Sequence, residues 1–139
     1  GLQHSYMYTE VVVMEPDEFW TWYADTTGLD VVVPEGANPA LLGRQIVERQ
    51  GCLACHSLDG STIIGPTFRG VFGEPVTVIT RGQERTIPYD EGYVRRSVYE
   101  PDFDIHKGFR PGQMFSYEGE ISQAEIDLIV AFLKSLNEK

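Results

Sequence analysis

The pattern of apolar and polar positions predicts three helices after the first quarter of the chain. The first begins at the expected N-cap Asn38, has proline at the next position, and should end close to Cys52. The second lies between Asp90 and Pro101, a cap residue and a proline that mark its two ends. The third opens on a capping box, in which Ser122 is followed three residues later by glutamate, and should pack across the first. The apolar faces of the first and third helices are Leu41, Leu42, Ile46 and Val47, and Ile126, Ile129, Val130 and Leu133.

Alternating residues between the first two helices predict a short β-hairpin. Val76, Val78 and Thr80 form its first strand, the letters RGQE its turn, and the residues that follow its return strand. Arg81 and Arg85 give the hairpin a small basic group that could approach an acidic partner or cofactor, although a solvated tip is the simpler interpretation. The expected fold is therefore all-α, with a small inserted hairpin.

Composition limits the classes of function. The chain has 139 residues, 42% of them hydrophobic, which suits one modest globular core. Its 21 acidic and 11 basic residues give a formal charge of −10, which argues against nucleic-acid binding because phosphate neutralisation needs clustered lysine and arginine. No apolar run approaches the roughly 20 residues of a membrane helix, so we expect no membrane contact by this chain itself.

The cysteines carry the most specific signal. Cys52 and Cys55 are the only two, and His56 follows directly. A redox dithiol would need a thioredoxin-like context, and a structural zinc site would need two further ligands at compatible spacing. C-x-x-C-H, by contrast, is the attachment motif of c-type haem, in which both thiols form thioethers and the histidine binds the iron. We predict one covalent haem c here, with His56 as the proximal ligand.

The second axial ligand is predicted from the loop before the last helix. Met114 lies there beside proline and glycine, and methionine is a usual second ligand of electron-transfer haems. His106 is its main competitor, with a solvent-exposed turn as the expected role, and Met14 is expected to pack in a strand. A haem-ligating histidine normally donates its outer ring N–H to a carbonyl. The Pro66 carbonyl, in GPTFRG, is the candidate acceptor for His56.

In this order, the motifs resemble those of a class I cytochrome c domain over residues 36–139. The segments that carry the resemblance are GCLACH, GPTFRG, YVRRSVYEP and PGQM, followed by a closing helix. The likeness is greatest to the cytochrome domain fused to subunit II of caa-type haem–copper oxidases. It implies three helices around a covalent haem, axial ligation by His56 and Met114, and support of His56 by Pro66.

The opening letters GLQHSYM extend the resemblance to a copper centre. They match the G-x-x-H-x-x-M end of the CuA motif in such subunits, which would make His4 and Met7 vestigial CuA ligands. We expect them to hold no copper, because the cysteines of that motif would lie upstream. Residues 1–27 would then be the end of a cupredoxin domain, a strand plus a helix. Residues 28–37 would be a linker and residues 38–139 the cytochrome c domain.

The resemblance implies one-electron transfer. Electrons would pass from a soluble donor, a cytochrome c or a high-potential iron–sulfur protein, to CuA in the same subunit and on to oxidase subunit I. The fragment would be a carrier without catalysis of its own, and only the intact parent would hold CuA and act as a proton-pumping oxidase. The parent would face the periplasm at the plasma membrane. The alternative is a haem peroxidase-like or ligand-sensing domain with an open sixth position, although no distal histidine and arginine stand at a convincing spacing.

Overall fold

A computed structural model describes residues 11, 13–16 and 36–137 of the chain. The predicted strand and helix of the first 27 residues, with His4 and Met7, lie almost entirely outside this part, as does most of the predicted linker. Met14 is partly buried and lies in neither a helix nor a strand. Within residues 36–137 the elements are α1 (Pro39–Arg49), a single 3-10 turn (Cys52–Ala54), β1 (Pro75–Thr80), β2 (Gln83–Pro88), α2 (Glu91–Tyr99), β3 (Asp104–His106) and α3 (Gln123–Ser135).

Side-chain caps start all three helices where the sequence predicts them. The Asn38 side chain accepts a hydrogen bond from the Ala40 N–H at 2.9 Å, and the Asp90 carboxylate begins α2 in the same way. Ser122 and Glu125 form the reciprocal capping box of α3. Each cap satisfies a backbone N–H that the helix itself leaves without a partner. The predicted helix starts are confirmed.

The crossing of α1 and α3 forms the centre of the core. Gly43 allows the close approach, since a Cβ atom at this position would lie 1.9 Å from the carbonyl oxygen of Leu128. Beside the crossing, Arg49 pairs with the buried Glu125 carboxylate at 2.6 Å. The predicted inward faces are buried or partly buried with one exception: Leu41 is 59% exposed. Its assignment to the core was wrong, because apolar spacing alone does not show how much of a helix face its neighbours cover. Among the described residues, none of the helices combines the length and the apolar character that a membrane span requires.

The predicted hairpin is present but belongs to a three-stranded antiparallel sheet. β1 is its central strand, and the strand order is β2-β1-β3. Arg81 and Gly82 alone make the turn, with φ angles of 51° and 80°, which is the left-handed geometry of a tight two-residue hairpin loop. The turn is shorter than RGQE, because Gln83 and Glu84 already pair in β2. No pattern in the sequence indicated β3, whose three residues pair with the end of β1.

A buried carboxylate connects the sheet to α2. Asp104, in β3, is 3% exposed and accepts hydrogen bonds from the side chains of Thr80, Arg85 and Arg96. Burial alone would raise its pKa, but these hydrogen bonds outweigh that effect and the pKa lies below the usual aspartate value. The Arg81 guanidinium lies 5.7 Å from the centre of the Phe103 ring. The two arginines therefore contact the β3 segment, and both residues remain exposed, as expected of a solvated hairpin tip.

Candidate haem site

A cleft opens between the helices on one side of the core. It encloses about 1210 Å³ of empty space, including the part that opens to solvent. Apolar residues of all three helices line it, among them Val47, Val94 and Leu133. Such a wall excludes water and suits a large, flat, mostly apolar group. The predicted site residues that line this cleft are Cys52, Cys55, His56, Pro66 and Met114.

Cys52 begins the 3-10 turn that follows α1, and Cys55 directly follows that turn. Gly51 ends the helix with a φ of 71°, in the left-handed region where glycine is favoured. The His56 N–H then donates to the Cys52 carbonyl at 2.9 Å, which closes one helical turn over the motif. Both thiols are free and partly buried, and burial raises the pKa of Cys52. One compact turn thus presents both thiols and the histidine to the same cleft.

His56 is held by its surroundings on two sides. Its Nδ1 lies 2.8 Å from the Pro66 carbonyl oxygen. Because a carbonyl can only accept, Nδ1 carries the proton, and Nε2 is left as the nitrogen that can bind a metal. The Phe68 ring stacks on the imidazole with centroids 4.4 Å apart and an interplanar angle of 11°. Burial lowers the pKa of His56, while the Pro66 contact opposes this shift, so the ring is held in its neutral, metal-binding form.

Gly65 provides the space in which the His56 ring lies. A Cβ atom at this position would come within 2.7 Å of the imidazole Cε1 and 2.9 Å of Nδ1. The Gly65 N–H also donates to the Cys55 carbonyl at 2.7 Å, which fixes the backbone beside the ring. Gly65 and Pro66 therefore have separate roles: Gly65 leaves room for the His56 ring, and Pro66 supplies the carbonyl that accepts its hydrogen bond.

Met114 reaches the cleft on a loop that is fastened to the end of α2. The side chain is partly buried and packs against the hydrophobic core. The hydroxyl of Tyr117, three residues later, donates to the carbonyl of Gln50 at 3.2 Å. Gln50 lies just before the turn that carries the cysteines. The loop is attached to α2 and the turn after it by hydrogen bonds from Gly112 N–H to Asp102 Oδ1 (2.7 Å), from Ser116 Oγ to the Tyr99 carbonyl (2.6 Å) and from Tyr117 N–H to the Val98 carbonyl (3.0 Å).

His106 does not lie in a solvent-exposed turn, as the sequence suggested. It belongs to β3, is partly buried and lines the same cleft as Met114. Its ring meets the Phe109 ring edge to face, with centroids 5.3 Å apart. The expected role failed because β3 could not be recognised from three residues. Both candidate sixth ligands thus belong to the wall of one cleft.

Two side chains that the sequence did not single out also belong to this wall. Tyr93 and Ser97 stand one turn apart on α2, and both line the cleft. Burial raises the pKa of Tyr93, and the Ser97 hydroxyl is buried without a hydrogen-bond partner among the described residues. The sequence could have indicated them through their spacing of four residues, which places both side chains on one face of a capped helix.

The arrangement fits a covalently attached haem. Two free thiols and a histidine with one free nitrogen line the cleft together, and an unpartnered hydroxyl lies in its wall. The sequence model of the cytochrome c family matches residues 40–137. The chain belongs to the cytochrome c family. Membership implies electron transfer through a covalently bound haem c.

Two curated proteins are similar to this chain. It is 28% identical over 138 residues to the cytochrome c oxidase subunit 2 of Alkalihalophilus pseudofirmus, an alignment that covers 98% of this chain and 36% of that protein. The chain thus spans only about a third of the length of that relative. It is 27% identical over 92 residues to the cytochrome c2 iso-2 of Magnetospirillum fulvum, covering 61% of this chain and 91% of that protein.

Proposed function

We propose that this chain is the haem-carrying part of an oxidase subunit II, and that it relays electrons from a soluble donor to CuA. The observation that supports this most is the extent of the two matches. The family model covers residues 40–137, whereas the alignment with the oxidase subunit covers 98% of the chain. It therefore includes most of the segment before α1, in which His4 and Met7 have the spacing of CuA ligands.

In this proposal the segment before α1 belongs to the copper domain. Residues 1–27 are its end, residues 28–37 the linker and residues 38–139 the cytochrome domain. A short linker replaces diffusional encounter with a high effective concentration of one redox centre near the other. The partners are a cytochrome c or high-potential iron–sulfur protein as donor, CuA of the same subunit as acceptor, and oxidase subunit I beyond it. The parent would act at the extracytoplasmic face of the plasma membrane.

The side chains of the cleft have separate roles in this transfer. When bound, the haem supplies a one-electron Fe(III)/Fe(II) couple. Cys52 and Cys55 anchor it, His56 offers Nε2 to the iron with its orientation set by Pro66, and Met114 offers its thioether from the opposite loop. A thioether ligand favours the reduced state relative to a second histidine. The apolar wall acts in the same direction, because a poorly solvated site disfavours additional positive charge.

The ligand set is tested by a pair of variants, Met114→Ala and His106→Ala. With Met114 as ligand, the ferric wild-type protein shows the near-infrared charge-transfer band of methionine-ligated iron. Met114→Ala then loses the band, lowers the potential and lets the reduced protein bind carbon monoxide rapidly, whereas His106→Ala keeps the band. The reverse pattern would assign the ligand to His106. Rapid carbon monoxide binding by the wild type would point to an open-site sensor or peroxidase instead.

The relay is tested in the intact parent subunit. After rapid photochemical reduction of the haem, its absorbance should return to the ferric spectrum while that of CuA changes to the reduced form, with one rate for both signals. A haem that stays reduced beside oxidised CuA would contradict the relay, and the ligand assignment would be unaffected.

A further inference from the structure

A series of aromatic rings extends from the cleft to a second face of the domain. Tyr93 and Tyr89 both line the cleft, and their ring centroids lie 4.8 Å apart. Phe72 continues the series, with its centroid 6.4 Å from that of Tyr89. The two tyrosines are buried, whereas Phe72 lies outside the cleft wall and is only partly buried. The series therefore begins at the haem site and ends near the surface.

The surface at the end of this series carries paired charges. Phe72 lines a depression there together with Asp90, Glu91 and Lys134, and we call these four residues the Phe72 face. The Lys134 ammonium lies 5.3 Å from the centre of the Phe72 ring and 2.7 Å from the Glu91 carboxylate. Both charged side chains are at least half exposed. A partner would meet hydrated, paired charges on this face rather than an apolar patch.

The mouth of the cleft has the opposite character. Ile64, on the histidine side, and Phe115, on the methionine side, both line the cleft. Their side chains are 52% and 79% exposed. Exposed apolar residues beside a binding site supply docking free energy when a partner covers them. The mouth therefore suits a soluble donor, which must bind by its own affinity.

A relay needs room for a donor and an acceptor at the same time. In the proposed parent, residues 28–37 tether the copper domain to the start of α1, and ten residues span at most about 35 Å. A domain of about 100 residues has a radius of gyration of about 13 Å, so this tether can reach either face. A tethered domain has a high effective concentration and does not need an apolar docking surface. Placed over the mouth, it would exclude the soluble donor.

We propose that the Phe72 face is the docking surface of the copper domain, and that Tyr93, Tyr89 and Phe72 form the path of the electron from the haem to CuA. The inference rests on the proposed function, since it takes CuA as the acceptor. One electron leaves Fe(II), which becomes Fe(III), and CuA gains that electron. The rings keep their oxidation state, because they act only as the medium through which the electron tunnels. Donor and acceptor then occupy separate faces.

The kinetic test follows the two electron transfers separately in the intact parent subunit. Phe72→Leu should slow the transfer from the haem to CuA severalfold and leave the reduction of the haem by a soluble cytochrome c unchanged. Phe115→Leu is the matched variant at the mouth, and it should slow the reduction by the donor but not the transfer to CuA. The reduction potential of the haem should be the same in Phe72→Leu and the wild type, because Phe72 lies outside the cleft wall.

Hydroxyl-radical footprinting tests the docking itself, without any electron transfer. The haem-loaded 139-residue chain is compared with the intact parent subunit. Phe72 should be oxidised less in the intact subunit than in the chain alone, because the copper domain covers it there. Phe115 should be oxidised equally in both, and should become protected only when the soluble cytochrome c is added.

The outcomes separate this inference from the function it rests on. A wild-type subunit in which CuA does not accept the haem electron refutes the relay itself. A normal relay in the wild type with an unchanged rate to CuA in Phe72→Leu overturns the path and leaves the relay intact. A slowed transfer to CuA in Phe115→Leu would place the copper domain at the mouth instead. If Phe72→Leu does not fold, the footprint decides, since an unprotected Phe72 in the intact subunit overturns the proposal.

Discussion

The histidine side and the methionine side of the cleft are constructed differently. On the histidine side, His56 bonds Pro66 only ten residues away, and Gly65 lies directly against its ring. On the methionine side, the loop of Met114 takes its position from contacts with α2 and with the end of α1. One of these, from Tyr117 to Gln50, spans 67 residues. The histidine side is thus fixed by its own sequence, whereas the methionine side depends on the assembled domain.

Gly65→Ala should have the largest effect on haem attachment, because it alters the side with no room to adjust. The new Cβ would lie 2.7 Å from the His56 ring, and such overpacking costs about 1–3 kcal/mol of the free energy of unfolding. We also expect a reduced yield of covalent haem, measured as the pyridine haemochrome. Gly92→Ala is the control, since the nearest atom to its new Cβ would be a side-chain oxygen 3.3 Å away. Equal losses of stability and of covalent haem in both variants would mean that the contact of the new Cβ with the His56 ring is unimportant.

Asp102→Ala should release the methionine side without unfolding the protein. It removes the acceptor of the Gly112 N–H, 2.7 Å away, and a lost bond of this kind costs about 1–2 kcal/mol. The methionine band should disappear at lower pH, and carbon monoxide should bind the reduced protein faster. Asp59→Ala removes the acceptor of two similar bonds on the histidine side, from the Ser61 N–H at 2.9 Å and the Ser61 hydroxyl at 2.6 Å, and should change neither measurement. An effect of equal size in both variants would contradict the difference between the two sides.

Asp104→Asn should weaken the wall next to the methionine side in a pH-dependent manner. The folded-state pKa of Asp104 is depressed, so its contribution to stability is present above the unfolded pKa near 3.9 and is lost as the pH falls through the folded value. The variant should therefore be less stable by about 1–3 kcal/mol at neutral pH, and the difference should shrink in acid. Denaturant unfolding between pH 2 and pH 7 measures this.

Glu84→Gln is the control for that series. The pair of Glu84 with Lys107 is 2.8 Å long, but both side chains are about half exposed, and exposed pairs contribute at most about 1 kcal/mol. If the stability loss of Glu84→Gln depended on pH as strongly as that of Asp104→Asn, burial would not explain why the Asp104 pairs contribute more to stability.

Leu41→Gln should have the smallest effect. The side chain is 59% exposed, and exposed substitutions usually change stability by no more than about 0.5 kcal/mol. Neither the potential nor the methionine band should respond. Ile46→Ala, on the same helix but 5% exposed, should cost about 2–4 kcal/mol. A large loss in Leu41→Gln would restore this residue to the core.

The sequence predicted best what depends on near neighbours. Helix caps such as Asn38 and Ser122 bond within three residues, and the contact of His56 with Pro66 spans ten. Prediction from the sequence failed where a residue's structure depends on partners that are distant along the chain. The three residues of β3 are too short to show a period, and they form a strand only because β1 offers an edge. Without β3, neither the pairing of Arg85 nor the place of His106 could be foreseen.

The hydrogen bond between Tyr117 and Gln50 bears on the order in which the site assembles. Closing a chain segment of that length costs more conformational entropy than closing the ten residues between His56 and Pro66. The histidine half can therefore form from a short stretch of chain, before α3 docks. The methionine half can close only once the helices are in place, and we expect it to open before the histidine half in native-state fluctuations. A haem already bound to both cysteines and His56 would thus be retained each time the Met114 loop detaches.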